Sequence, residues 1–179
     1  MRLLLSFILS LCFVQHPVIA QEAPVRGDTI ALQYSLPQAN CASFPADAKP
    51  RLDHQELLKG TKRFTPSKAQ LVSAEEQLAK VDLGRVNNQP LNSYYADYPT
   101  IIKNQLAKYR RQYYGFHNAE GHPCLFINLF IYDVEEPSGQ TPRWLRELQW
   151  FYDGGPALWS VLYDLKTQRF YDLHYNLEG

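Results

Sequence analysis

The stretch 151–163, FYDGGPALWSVLY, decides how the C-terminal third of the chain folds. Its Asp153-Gly154-Gly155 supports two readings: a loop that holds a substrate against a carboxylate, or the bend between two strands. The flanks favour the bend. Residues 147–152 and 157–165 both run with period two, the spacing of side chains on alternate faces of a strand, and Asp and Gly tolerate the positive φ of a hairpin. Residues 164–168 supply the next bend, before a further strand-like run at 169–175.

Upstream, the same period marks 110–117 and, after the turn Asn118-Ala119-Glu120-Gly121, 124–132. Leu125, Ile127, Leu129 and Ile131 share one face of that run; Phe126, Asn128, Phe130 and Tyr132 share the other. Both faces are mostly apolar, so the strand is expected to be central and covered on both sides. The connection 135–143, with Pro137, Gly139 and Pro142, reads as a surface loop. The strongest helix signal is 64–81, FTPSKAQLVSAEEQLAKV, with Thr65 as N-cap and Pro66 at the first helical position. Leu71, Ala74, Leu78 and Val81 recur on the face expected to meet a sheet. Residues 82–98 read as a loop, and a second helix is expected from Pro99 to Lys108. Further upstream, 53–59 offers a short helical turn that stops at Gly60. Residues 21–51 read as an irregular lead-in with one strand-like run at 29–34. The expected fold class is α+β, with two N-terminal helices followed by a four-stranded antiparallel meander wrapping the main helix.

Residues 1–20 read as a secretory leader: Arg2, an apolar run from Leu3 to Val14, and a cleavage site after Ala20. Bulky Leu11 before Cys12 departs from the lipoprotein pattern that Leu9-Ser10-Leu11-Cys12 otherwise resembles. The expected organisation is therefore a leader at 1–20, a lead-in at 21–63 and one α+β domain at 64–179, placed in the periplasm or outside the cell. The apolar run is shorter than the roughly 20 residues that span a bilayer, so no membrane span is expected. The chain has 18 basic and 18 acidic residues, and the leader removes only Arg2 from that balance. Net charge therefore gives no reason to expect nucleic acid as a partner. Cleavage would leave Cys41 and Cys124 in a compartment where thiols oxidise, and a disulfide between them is the economical expectation.

The segments FTPSKAQLVSAEEQLAK, KYRRQYYGF, LFINLF and DGGPALWSVLYDLKTQRFYDLHYN together resemble a group of small, exported, uncharacterised bacterial proteins. In that group a helix opening with Thr-Pro precedes a Tyr-Arg-Gln-Tyr strand, an apolar strand and a late Asp-Gly-Gly hairpin. The resemblance covers 64–176 and implies a cystatin-like or nuclear-transport-factor-like α+β domain, in which a curved antiparallel sheet wraps a helix. It implies no activity and carries over no catalytic residue. The last strand of the group often ends Asn-Gly, whereas Asn176 is followed here by Leu177.

Chemistry-bearing residues are few. His117 and His122 flank the 118–121 turn with Glu120 between them, but zinc sites take three or four protein ligands, so no metal or other cofactor is expected. Ser160, Asp172 and His174 have the residue types of a hydrolase triad, yet Ser160 falls in mid-strand instead of on a sharp exposed turn. No Gly-rich phosphate loop is present; Gly154-Gly155 precedes a strand. Aromatic residues are more telling. A sheet with one helix beneath it leaves a face on which Arg110, Tyr113, Trp159, Tyr163 and Tyr171 are expected to meet a protein, peptide or small ligand. The functional expectation is an exported, non-enzymatic binding or interaction domain, of which an inhibitor or immunity role is one version. The rival is a small-substrate hydrolase on the open sheet face, using Asp153, Asp172 and His174.

Overall fold

Ser67 starts the first helix, two residues later than the sequence suggests, because the Thr65 hydroxyl is engaged elsewhere. Thr65 Oγ1 accepts the Ala46 N–H at 3.0 Å. Ser67 Oγ accepts the Gln70 N–H while Gln70 Oε1 accepts the Ser67 N–H, so two donors at the helix start are satisfied reciprocally. In this computed structural model residues 30–48, 58, 61–87, 95–131, 138–151 and 153–176 are described. The expected leader at 1–20 and, except for Leu58, the helical turn at 53–59 lie outside them. The elements are β1 (Leu32–Leu36), β2 (Ala39–Phe44), β3 (Arg63–Phe64), α1 (Lys68–Leu78), α2 (Tyr98–Asn104), β4 (Arg110–His117), β5 (Pro123–Phe130), β6 (Gly155–Asp164) and β7 (Arg169–Asn176). Among the described residues no helix is long and apolar enough to cross a membrane.

The strands form one seven-stranded mixed sheet in the order β1-β2-β4-β5-β6-β7, with β3 pairing β4 off that path. β2 runs parallel to β4, and every other pairing is antiparallel. This overturns the expected two helices followed by a four-stranded meander, and only the broad α+β class survives. β1, β2 and the first residue of β3 come from the expected lead-in, where only the strand-like run at 29–34 points to pairing. β2 leaves little mark in the sequence because Ala39-Asn40-Cys41-Ala42-Ser43-Phe44 has little intrinsic strand preference; β1 and the distant β4 hold it extended from either side. Ser43 Oγ donates to the Pro66 carbonyl at 2.8 Å, tying β2 to the entrance of α1. Gly115 has a steric reason to be glycine, since a Cβ there would lie 2.4 Å from the Phe64 carbonyl oxygen of the paired β3.

Residues 147–151 form no strand, so Asp153-Gly154-Gly155 is not a hairpin. Asp153 (φ 56°) and Gly155 (φ 49°) do adopt the left-handed conformation, but they turn the chain from a long excursion into the start of β6. The excursion, which includes a turn of 3-10 helix at Arg143–Leu145, lies over one sheet face. There Trp144, Leu145 and Leu148 pack with Tyr114, Phe126 and Phe130. The opposite, helical face carries Leu71, Ala74 and Leu78 of α1 over Tyr113, Leu125 and Ile127. The alternation expected along β5 is the one observed, with Leu125, Ile127 and Leu129 toward the helices and Phe126 and Phe130 toward the excursion.

Two buried amides fasten the excursion. Gln112 Nε2 donates to the carbonyls of Trp144 (2.8 Å) and Glu147 (2.7 Å), and its Oε1 accepts from Asn128 Nδ2 (3.0 Å) and the Gln149 N–H (2.8 Å). Asn128 Nδ2 also donates to the Gln149 carbonyl at 2.9 Å. Side chains thus supply the hydrogen bonds that a neighbouring strand would have made, which is why a period-two run lies here without being one. On the helical face the fully buried Arg111 donates from Nε to Glu75 Oε1 at 3.1 Å and from a terminal nitrogen to the Tyr109 carbonyl. The Tyr113 hydroxyl donates to the same Glu75 oxygen. Lys103 Nζ donates to the carbonyls of Leu78 (3.2 Å), Ala79 (2.6 Å) and Val81 (3.1 Å), closing the C-terminal end of α1 with a positive charge.

Cys41 and Cys124 are both free and buried, on opposite faces of the sheet, and the expected disulfide between them is not formed in this structure. Cys41 is level with Arg111 and Leu129, whereas Cys124 pairs Phe116, five positions away. Two strand spacings across and five residues along put their Cα atoms about 19 Å apart, far beyond the roughly 4.4–6.8 Å that a disulfide spans. Burial, with a smaller contribution from Glu75, pushes the Cys41 thiol up to about 12. Burial raises Cys124 as well.

Alkylation at pH 8 is expected to leave both thiols unmodified in the native protein and to label both after unfolding without reductant; mass spectrometry reads the difference. Gln112→Ala is expected to lower unfolding stability by about 2–3 kcal/mol, because it leaves the backbone groups of 144, 147 and 149 unpaired under cover. Hydrogen exchange at the Gln149 amide should accelerate in that variant while exchange in β5 and β6 follows the global change alone.

Candidate functional site

The residues expected to form an open aromatic surface are mostly interior, because both faces of the sheet are covered. Tyr113, Trp159 and Tyr163 lie beneath the helices with 1% exposure or less. The Arg110 guanidinium sits 5.1 Å from the centre of the Trp144 ring. Tyr171 alone of the five lines a cleft. That open cleft, of about 770 Å³, lies where the end of β4, the turn after it and β7 meet the residues beside Leu83–Arg85. Phe116, His117 and Asn118 line it from the β4 side, Tyr171, Asp172 and His174 from β7, and Thr61 and Asn87 from the flanking segments.

A bulge in β7 gives the cleft its shape. Ser160 pairs His174 and Leu162 pairs Tyr171, so the partner strand has one residue, Val161, opposite both Asp172 and Leu173. Asp172 takes the strain at φ 53°, a conformation that Asp tolerates better than most residues because its short polar side chain makes local hydrogen bonds. Its Oδ1 accepts from His174 Nε2 at 2.8 Å. Asn87 holds the bulge from the free edge of the sheet: Nδ2 donates to the Leu173 carbonyl at 2.6 Å and Oδ1 accepts the Leu173 N–H at 2.7 Å. One amide side chain carries the donor and acceptor that an adjacent strand would have offered, and it blunts an edge that could otherwise pair with another chain.

The remaining groups are oriented by the backbone. His117 Nδ1 faces the Lys62 carbonyl at 3.3 Å and therefore carries the proton, leaving Nε2 as an acceptor in the neutral ring. Asn118 Oδ1 accepts the N–H groups of Glu120 (3.1 Å) and His122 (2.9 Å), closing the expected 118–121 turn. Thr61 Oγ1 donates to the Leu58 carbonyl at 3.1 Å. The Tyr171 hydroxyl donates to Cys124 Sγ at 3.4 Å, and burial followed by this bond raises its pKa.

His122 belongs to a separate cluster at the hairpin ends. Its Nδ1 lies 2.9 Å from Asp164 Oδ2, and its Nε2 lies 3.0 Å from Lys166 Nζ. Burial alone would raise the Asp164 carboxyl, but hydrogen bonds from His122 and the amides of Thr167 and Lys166 outweigh it and hold the carboxyl below its ordinary range. Among the described residues no three His, Cys, Asp or Glu side chains converge as a metal group would need.

Of the triad residues, Asp172 and His174 bond one another and Ser160 is the cross-strand partner of His174. Ser160 is 7% exposed and does not line the cleft, and neither does the exposed Asp153. His117 stands beside the 118–121 turn as the sequence suggests, but nothing in the sequence places it opposite β7. Asn87 falls in the run 82–98 that reads as a loop, and the β-bulge that pairs with it leaves no mark in a period-two run. Comparison with known proteins gives no matching family model, no matching curated protein and no matching solved structure.

Asn87→Ala is expected to expose the Leu173 amide to rapid hydrogen exchange and to cost about 1–3 kcal/mol, the penalty for leaving a buried donor or acceptor unmet. The exchange rates of the β4 and β5 amides should change only by the global amount.

Proposed function

We propose that the chain is an exported, non-enzymatic binding domain that holds a small polar ligand in the cleft beside the β7 bulge. The observation that carries this reading is the convergence there of three sequence-distant segments whose polar side chains keep spare hydrogen-bonding capacity after their internal bonds are made. A backbone held at φ 53° on a non-glycine residue adds to it, since strain of this kind gathers where side chains must be aimed. The cleft has the volume of a small-molecule site and offers apolar walls, Phe116 and Leu162, beside its polar groups.

A hydrolase is the second reading, favoured by the Asp172–His174 bond with Ser160 opposite His174. Ser160 makes no bond to His174 and lies under cover, which leaves the pair without a presented nucleophile. The leading reading rests on binding without turnover.

A nitrogen–proton correlation titration of the processed protein tests it, with a panel of neutral, cationic and anionic small solutes: glucose, glucosamine, Nα-acetyl-lysine-N-methylamide and gluconate. At least one is expected to shift the signals of 117, 118 and 171–174, with no consumption of ligand. A panel that leaves all these signals in place overturns the proposal. Labelling of Ser160 by a fluorophosphonate would replace it with the hydrolase.

A further inference from the structure

The hydrogen-bonding inventory of the cleft narrows the ligand class. This inference rests on the binding reading and adds to it the charge of what is bound. After the internal bonds are counted, the lining groups are mostly acceptors. Asp172 has its second carboxylate oxygen to offer, and His174, with Nε2–H directed to Asp172 Oδ1, keeps Nδ1 as an acceptor in the neutral ring. His117 keeps Nε2 by the same logic. Tyr171 and Thr61 have given their protons to Cys124 Sγ and the Leu58 carbonyl, so their oxygens can only accept. The opposing donors are the Asn118 amide nitrogen, whose oxygen is committed to the turn, and the second N–H of the Asn87 amide. Among the described residues, Asp172 is the one carboxylate that lines the cleft, and no Lys or Arg lines it. Five acceptors, one of them a carboxylate, suit a ligand rich in donors and positively charged. An anionic ligand would meet like charge and lone pairs.

We propose that the cleft binds a small molecule through a primary ammonium group, held by Asp172 with His117, His174 and Tyr171 as further acceptors, while Phe116 and Leu162 take its carbon frame. An ammonium offers three donors in a compact head, which matches several acceptors around one carboxylate better than a planar group would. An amino sugar and the side chain of a lysine derivative present the same head on different frames.

Isothermal titration and signal mapping with the processed protein test the charge assignment. Glucosamine or Nα-acetyl-lysine-N-methylamide is expected to bind in the cleft at least roughly tenfold more tightly than glucose, the margin of one charge-assisted contact, and gluconate more weakly still. The stronger of the two amines identifies the frame as sugar or amino-acid-like, and binding of either supports the proposal. Asp172→Asn keeps a residue that tolerates the left-handed backbone and removes the charge. It should reduce amine binding about tenfold or more at an unchanged melting temperature and bring the amine-to-glucose ratio close to one, because the charge lost matters more to the amine than to the neutral sugar. Should Asp172→Asn fail to fold, the amine-to-glucose ratio of the unmodified protein decides the matter. Equal binding of glucose and both amines, preference for gluconate, or amine affinity unchanged in a folded Asp172→Asn overturns the ammonium assignment. Any of these leaves the cleft as a binding site, whereas silence of the whole panel removes the site itself.

Discussion

A strand covered on both faces has to find partners inside the protein for the strongly polar groups it buries, and β4 buries a guanidinium on one side and a carboxamide on the other. Arg111 points toward the helices, where Glu75 and the Tyr109 carbonyl receive it; Gln112 points the other way, into the backbone of the excursion. Each arrangement fixes something larger than itself. An unpaired buried guanidinium would cost several kcal/mol, so α1 is held in the register that brings Glu75 over β4. An unpaired buried amide costs about 1–3 kcal/mol for each group left unmet, so residues 144–149 are held with their carbonyls and one amide against Gln112. The two layers over the sheet are therefore positioned from a single strand by consecutive residues of opposite facing.

The same device recurs at the sheet edge. Asn87 offers Leu173 one donor and one acceptor in the spacing of a neighbouring strand, as Gln112 and Asn128 do for the excursion. Along 144–149 and at Leu173, carboxamide side chains continue the bonding where backbone pairing stops. The cleft follows from this substitution. A true eighth strand along β7 would have to accommodate the bulge at 172 over its whole length, whereas a single Asn touches only residue 173 and leaves Asp172 and His174 directed into open space. The binding reading thus depends on local chemistry at a mid-strand bulge and, among the described residues, on the lack of a second strand along β7.

Much of the C-terminal half was legible. The runs 110–117, 124–132, 157–165 and 169–175 are legible as strands because successive side chains of a pleated chain point to opposite faces, and a strand covered on both sides is apolar on both. The turn at 118–121 was equally plain, since Asn118 and Gly121 supply the side-chain acceptor and the positive φ it uses. Residues 147–151 show where this logic fails: alternation tells which side chains point inward, not whether the backbone bonds to another backbone or to the amides of Gln112 and Asn128. Asp153-Gly154-Gly155 was read with its conformation partly correct and its context wrong for the same reason. Of the site, Asp172, His174, Tyr171 and His117 stand out in the sequence, the first two for a reaction, the third for a surface that proves to be covered and the last as a residue flanking the 118–121 turn. Asn87 and Thr61 join them, and the turn residue Asn118 comes to line the cleft, only through contacts between segments far apart in the chain.

What the sequence determined by itself was local: helix-forming and strand-forming segments, turn residues, the alternation that assigns side chains to faces, and a charge balance that singles out no polyanionic partner. Those properties depend on spacings of a few residues, and a few residues suffice to read them. The tertiary structure alone decided that Ala39–Phe44 is a strand, that both sheet faces are covered, that Cys41 and Cys124 lie on opposite faces too far apart to bond, and that a cleft opens at the bulge in β7. Each of these depends on which distant segment satisfies a given hydrogen bond or apolar face. Many segments of one chain offer chemically equivalent partners, so the choice is made by the packing of the whole and is written in no single stretch.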